Sequence, residues 1–407
     1  MKKKIISLSA ARKLAIHSQL LDSKAKLPKG KQGVAQLIER LGYVQIDTIS
    51  VVERSHNHTI WTRCPDYTNE MLHELQANDR RIFEYWGHAA SYLPMSDYRY
   101  YLPRMRYASD PNEKWEKQRM EKYGHLMRPV FEEIKKNGPM SSRDFEEKPG
   151  RKRGGWWDWR PTKVALELLF WRGEIMVTER RNFQKVYDLT ERVLPEWVDT
   201  TYPDDEELGR FLVKRALTSY GIAQEREIRD HLHTPNKELI HKTLSEMLSS
   251  GEVITVEVKG FADCTYFTLP EIVTNLNELK RPAAKVHILS PFDNLIIQRD
   301  RINTLFGFDY ALECYTPSDK RVYGYFTLPI LWKDKLVGRL DPKAERKSKT
   351  FAIRNLVFEP GFDDYDRFLQ KFVRKLSELA RFNSCGDIRI DRVSPKSVKR
   401  KIDKLLE

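Results

Sequence analysis

Gln45-Ile46-Asp47 sets an amide and a carboxylate two residues apart, directly after an apolar helical pattern. In an extended segment, residues two apart point to the same side. Gln45 and Asp47 then share a face, and Ile46 turns into the core. A carboxylate beside an amide can hold and activate a water molecule, and the carboxylate can stabilise a developing cation. Glu53, Arg54, His56, His58 and Arg63 follow in the same stretch, Leu41 to Arg63, so polar groups are densely packed here. The competing reading is a solvated turn between two helices, since a Gln-x-Asp triplet is common.

Elements that must position the triplet can be read on both sides. Ser9 to Leu21 carries Leu14, Ile16, Leu20 and Leu21 near helical spacing, and Val34 to Leu41 carries Val34, Leu37, Ile38 and Leu41. A Lys/Gly/Pro-rich loop separates these two helices, and Gly42 is the expected C-terminal cap of the second. Thr48 to Arg54 is short and apolar, and Thr68 to Asn78 is a further helix. Arg81 to Pro94, RIFEYWGHAASYLP, reads mainly as core. Glu84 and His88 within it need partners, because a buried charge without one is costly.

The middle of the chain repeats itself. Leu168 to Thr190 and Met247 to Leu269 both run from a helix through Gly-Glu and an aliphatic residue into two strands: Gly173-Glu174-Ile175 matches Gly251-Glu252-Val253. Tyr187 matches Tyr266 with a one-residue offset. Upstream lie Arg143-Asp144-Phe145 and Arg226-Glu227-Ile228. Three short helices followed by a hairpin make a winged helix, a helix-turn-helix variant that usually presents one helix to a nucleic-acid groove. Winged helices also serve as protein-protein modules. The first copy carries an insertion, Lys148 to Lys163, that interleaves Arg151, Lys152, Arg153 and Arg160 with Trp156, Trp157 and Trp159. Basic groups neutralise phosphates and indole faces stack on bases; alternatively the tryptophans anchor the loop to the core.

Beyond Pro282 the pattern changes to strands and short loops. Val286 to Leu289, Leu336 to Leu340 and Phe351 to Phe358 read as strands, and Tyr365 to Ala380 as a closing helix. Leu312 to Tyr315, the turn Thr316-Pro317-Ser318-Asp319 and the aromatic run Val322 to Ile330 read as a β-hairpin with Lys320 and Arg321 at its tip. The tail from Pro395 is basic and is expected to fray.

Lys plus Arg is 71 against 58 for Asp plus Glu, a net charge of +13. That excess favours a polyanionic partner, of which nucleic acid is the commonest. Cys64, Cys264, Cys314 and Cys385 have neither metal-site nor disulfide-framework spacing, which fits reduced thiols in the cytoplasm. Arg12 and Lys13 break the apolar run at the N-terminus too early for a signal peptide, and no apolar stretch is long enough to span a membrane.

GYVQIDTISVVERSHNHTIWTR, FEYWGHAASYLP, LSPFDNLIIQRDR, FGFDYALECYTPSDKRVYGYF and LVGRLDPKAER occur in this order. Together they resemble the bacterial AlkX/YcaQ family, winged-helix DNA glycosylases related to AlkZ, over roughly residues 5 to 380. The resemblance implies an α+β fold of three tandem winged-helix (helix-turn-helix) domains followed by a C-terminal β-barrel-like domain. The expected division is 1–122, 123–203, 204–282 and 283–407, with the triplet in the first. The Gln-apolar-Asp form of the triplet places the chain in the branch associated with excising N7-alkylated purines and unhooking nitrogen-mustard-type interstrand crosslinks. Gln45 and Asp47 become the catalytic pair of a monofunctional DNA glycosylase that uses no metal or cofactor. The expected partner of this monomer is double-stranded DNA with alkylated or crosslinked purines. Arg54, His56, Arg63, Arg151, Lys152, Arg153, Arg160, Lys320 and Arg321 are the expected DNA contacts, with a structural ion pair the equal alternative for Arg54, His56 and Arg63. Two other readings stay open. A winged-helix transcriptional regulator without chemistry would bind specific sequences, usually as a dimer. A protein-binding scaffold would show weak, salt-insensitive DNA affinity.

Overall fold

The computed structural model describes residues 4–22, 27–110, 113–145, 161–233, 236–261, 263–274 and 283–407. The chain divides into two compact units, Met1–Tyr67 with Leu212–Glu407, and Thr68–Phe211. The fold class is mixed α+β.

The first unit begins with the helix Leu8–Ser18, capped where the Ser7 hydroxyl accepts from the Ala10 N–H. The helix Lys31–Leu41 buries Val34, Leu37, Ile38 and Leu41 and stops at Gly42, which is left-handed at φ 80°. A Cβ at Gly42 would lie 2.8 Å from Arg215 Cδ, so close approach and backbone conformation both call for glycine. The helix Ser55–Arg63 follows, with all nine residues buried. Later come the helices Glu225–His231, with a Gln224/Glu227 capping box, and Lys237–Ser250, and then the hairpin strands Ile254–Val258 and Tyr266–Thr268. The strand Lys4–Ile6 adds in parallel to this hairpin, Lys4 facing Val256.

A six-stranded sheet, curled into half a barrel, forms the rest of this unit. Its order is Val286–Ile288, Leu328–Trp332, Lys335–Glu345, Thr350–Phe358 and Asp387–Ile390, with Val393–Ser394 also pairing Thr350–Phe358. Register shifts at Ile330/Leu331 and Asp341/Pro342 bend it. The amphipathic helix Tyr365–Phe382 covers the sheet with Phe368, Phe372, Leu376 and Leu379. Leu14, Ile222, Val256, Leu289, Ile302 and Leu331 belong to one apolar cluster, so helix, hairpin and sheet share a core.

Two expectations change here. Residues 312–327 form no hairpin arm. Glu313–Tyr315 and Ser318–Lys320 are 3₁₀ turns, and strand begins only at Leu328. The Glu313 carboxylate takes the N–H groups of Val322, Tyr323 and Gly324 that a strand ladder would have used. The tail does not fray: the helix Lys399–Leu406 buries Ile402.

The second unit carries the helix Asn69–Ala77, the hairpin Ile82–Trp86 with Ala90–Pro94, and the helices Leu102–Ser109, Lys114–Tyr123, Met127–Asn137 and Pro161–Trp171. The repeat's first hairpin is Ile175–Arg181 with Gln184–Leu189. Glu84 finds its partner here. Arg180 donates to it twice at 2.7 Å, and Gln76 adds a bond of 3.1 Å. The insertion with Trp156, Trp157 and Trp159 lies outside the described residues.

Candidate active site

The triplet leaves the short strand Val44–Gln45 with the alternation its spacing predicts. Val44 and Ile46 are buried, while Gln45 and Asp47 are half-buried on the opposite face. The loop after Asp47 is tied to the sheet. Ala344 N–H donates to Val51 O at 2.9 Å, Arg346 Nη1 to Ser50 O at 3.0 Å, and Glu53 N–H to Asn383 Oδ1 at 2.6 Å. A relay runs from the Tyr67 hydroxyl to Asn57 Oδ1 (2.6 Å) and from Asn57 Nδ2 to Glu53 Oε1 (2.7 Å). Trp61 lies between Phe382, stacked at 4.7 Å, and Lys375 Nζ, 3.9 Å from its ring centre. The stretch just after Asp47, residues 50–53, is therefore held by elements remote in sequence.

Burial raises the Asp47 carboxyl above its ordinary value of 3.8. The N–H groups of Thr48 and Ile49, the Arg54 guanidinium and the Ser55 hydroxyl pull the other way without cancelling it. Such a carboxylate is poised to take a proton. Gln45 Oε1 is buried with no hydrogen-bond partner among the described residues, an acceptor that a water or substrate hydroxyl would satisfy. His58 does not compete as a base. Its Nε2 lies 2.9 Å from Ile288 O, and burial lowers its pKa to about 4, so it is neutral.

Of the remaining predicted residues, Arg54 is half-buried and acts electrostatically on Asp47. His56 and Arg63 are buried: His56 is 3% exposed, and the Arg63 side chain is fully shielded. Arg63 spends its five donors internally. Nε reaches Gln19 O, Nη1 reaches Thr59 O and Asp293 Oδ2, and Nη2 reaches Asp293 Oδ1 and Gln19 Oε1. It is a structural ion pair with Asp293, at 2.6 Å, because no donor remains for phosphate. Arg151, Lys152, Arg153 and Arg160 lie outside the described residues. Lys320 is exposed, whereas Arg321 is half-buried, donating to Thr316 O at 2.8 Å and covering the Tyr325 ring.

Sequence reasoning missed the neighbours of Asp47 supplied by the 312–325 loop. The Cys314 thiol is pushed up by burial and by the Asp47 charge, and the Tyr315 phenol by Cys314, by slight burial and by Asp47. Both groups thus lie in the field of that carboxylate. Glu313 holds the loop, accepting from Val322, Tyr323 and Gly324 N–H at 2.9, 2.8 and 2.9 Å. Gly324 sits at φ +147°, and a Cβ there would come within 2.4 Å of the Asp341 side chain. Arg339 stacks on Tyr323 and Phe308, 4.0 and 4.2 Å from the ring centres, and pairs with Glu359. The available signal was an aromatic residue beside a Thr-Pro-Ser-Asp turn.

A model of the family described as AlkZ-like, DNA glycosylase AlkZ-like, matches residues 38–382. The fold is similar to that of the Streptomyces sahachiroi DNA glycosylase AlkZ, with a TM-score of 0.64 at 16% identity. The match covers 95% of this chain and 99% of that one.

Proposed function

From the premise that the chain belongs to the AlkZ-like DNA glycosylase family, we propose that it hydrolyses the N-glycosidic bond of N7-alkylated purines and unhooks nitrogen-mustard-type interstrand crosslinks. An N7-alkylguanine carries a positive charge. When the bond to C1′ breaks, the electron pair moves to the base, which leaves neutral, so little acid catalysis is needed. The sugar passes through an oxocarbenium-like state, which Asp47 stabilises while it accepts the proton of the attacking water. Gln45 positions that water or the sugar-phosphate, since an amide donates and accepts but is a poor base. No lyase step is part of this reading.

The observation that carries it is the pairing of a carboxyl raised by burial with a buried amide oxygen that has no partner among the described residues. A base joined to the opposite strand cannot enter a deep pocket, and Asp47 is only half-buried. On this reading the helix-and-hairpin units are winged helices, three in tandem, with the half-barrel following them. Lys320, Arg54 and Arg321 remain the proposed phosphate contacts among the described residues, with the protein acting as a monomer on duplex DNA. Among the described residues no helix is long and apolar enough to cross a membrane.

The test is base release from duplexes carrying N7-methylguanine or a nitrogen-mustard crosslink. Release of either base supports the reading. Tight duplex binding with neither lesion excised would favour the regulator.

A pH profile gives a second check. Asp47 must be ionised to act, and its carboxyl lies above 3.8. Single-turnover excision should fall as pH drops, with a midpoint above that value. A rate flat down to pH 4 would remove Asp47 as the base.

A further inference from the structure

Tyr315 is 86% exposed, an unusual position for a large ring on a loop so firmly tied down. Its neighbour Glu313 binds three consecutive N–H groups, Asn355 Nδ2 donates to Tyr323 O at 2.9 Å, and Phe326 N–H donates to Asp341 Oδ1 at 3.0 Å. Val322, fastened to the same carboxylate, is 72% exposed. The loop therefore holds an aromatic and an aliphatic side chain out in water, the aromatic one within the field of Asp47. Neither gains packing within the protein by standing there, whereas a pre-organised aromatic surface loses little entropy when a flat ligand settles on it.

We propose that Tyr315 is the stacking platform for the damaged purine, its ring taking the face of the base while Asp47 faces the sugar carbon. A base stacks on an aromatic side chain whatever its sequence. A positively charged purine gains further from the negative face of the phenol ring, so the platform favours cationic lesions over normal purines. Glu313 is the positioning residue that keeps the platform in place. The cationic preference rests on the N7-alkylpurine reading above.

The experiment uses the full chain with Tyr315→Phe and Tyr315→Leu. Single-turnover excision of N7-methylguanine is measured. So is affinity for an undamaged duplex and for one carrying a non-hydrolysable 2′-fluoro N7-methylguanine. Tyr315→Phe should stay within about twofold of wild type. Tyr315→Leu should lose about tenfold in excision and a similar factor in preference for the damaged duplex. Its affinity for undamaged DNA and its melting temperature should not change. Wild-type behaviour of Tyr315→Leu would overturn the proposal, as would equal losses on damaged and undamaged DNA, which mark a general groove contact. If the wild type excises nothing, the glycosylase reading fails, and the preference between the two duplexes still tests Tyr315.

Discussion

Asp47→Asn should slow single-turnover base release by about a thousandfold, with duplex affinity unchanged. General-base and electrostatic terms are each worth about a hundredfold or more, and the substitution removes the first and weakens the second while keeping shape. The asparagine can still hold a water but cannot take its proton. The variant should fold as well as wild type, because Asp47 is a carboxylate that burial disfavours. Measuring excision and binding on the same lesion-bearing duplex separates the outcomes. A loss below about tenfold would move the chemistry to another group, and a parallel loss of affinity would make Asp47 a binding residue.

The second large effect is on stability. Asp293→Ala should destabilise the first unit by about 3–5 kcal/mol, the usual cost of leaving one member of a buried ion pair alone. Both side chains are fully shielded from water, and Asp293 also accepts from Leu295 N–H at 3.0 Å. Arg63→Met, which removes the charge but fills much of the same volume, should lower the urea midpoint too. What remains folded should bind DNA with an unchanged salt slope, since each phosphate contact contributes about 0.9 to that slope. A slope reduced by one unit in Arg63→Met would restore Arg63 as a phosphate contact.

Why Gln45 and Asp47 could be placed from sequence, and Arg63 could not, follows from the range of the interactions. The face shared by Gln45 and Asp47 is a matter of period two. The stop at Gly42 is a matter of left-handed backbone, and the hairpins follow Gly-Glu turns at Gly173 and Gly251, both at positive φ. All are local. At Arg63 a phosphate contact and a structural ion pair could not be told apart, because its partner, Asp293, is 230 residues away. The 312–327 segment looked like a hairpin because its composition suits strands. The Glu313 carboxylate reaches backbone nine to eleven residues on, a bond that no periodicity reports. The tail looked solvated because most of Lys399–Leu406 is polar, yet Ile402 is buried and Lys401 pairs with Asp366 of the closing helix.

The pairing of Lys4–Ile6 with Val256–Val258 sets the order in which the chain can assemble. Arg63 leaves the ribosome 230 residues ahead of its partner Asp293. At ordinary synthesis rates that is a wait of roughly ten to fifty seconds. During it Leu14 and Ile16 lack the sheet residues they pack with, and Trp61 lacks Phe382 of the closing helix. Thr68–Phe211 is continuous in sequence and can close on itself in the meantime. Such long-range closure makes folding slow and leaves apolar surface open to other chains. The stretch holding Gln45 and Asp47 is thus made well before the partners that secure it, and the yield of folded protein depends on how long it stays uncovered.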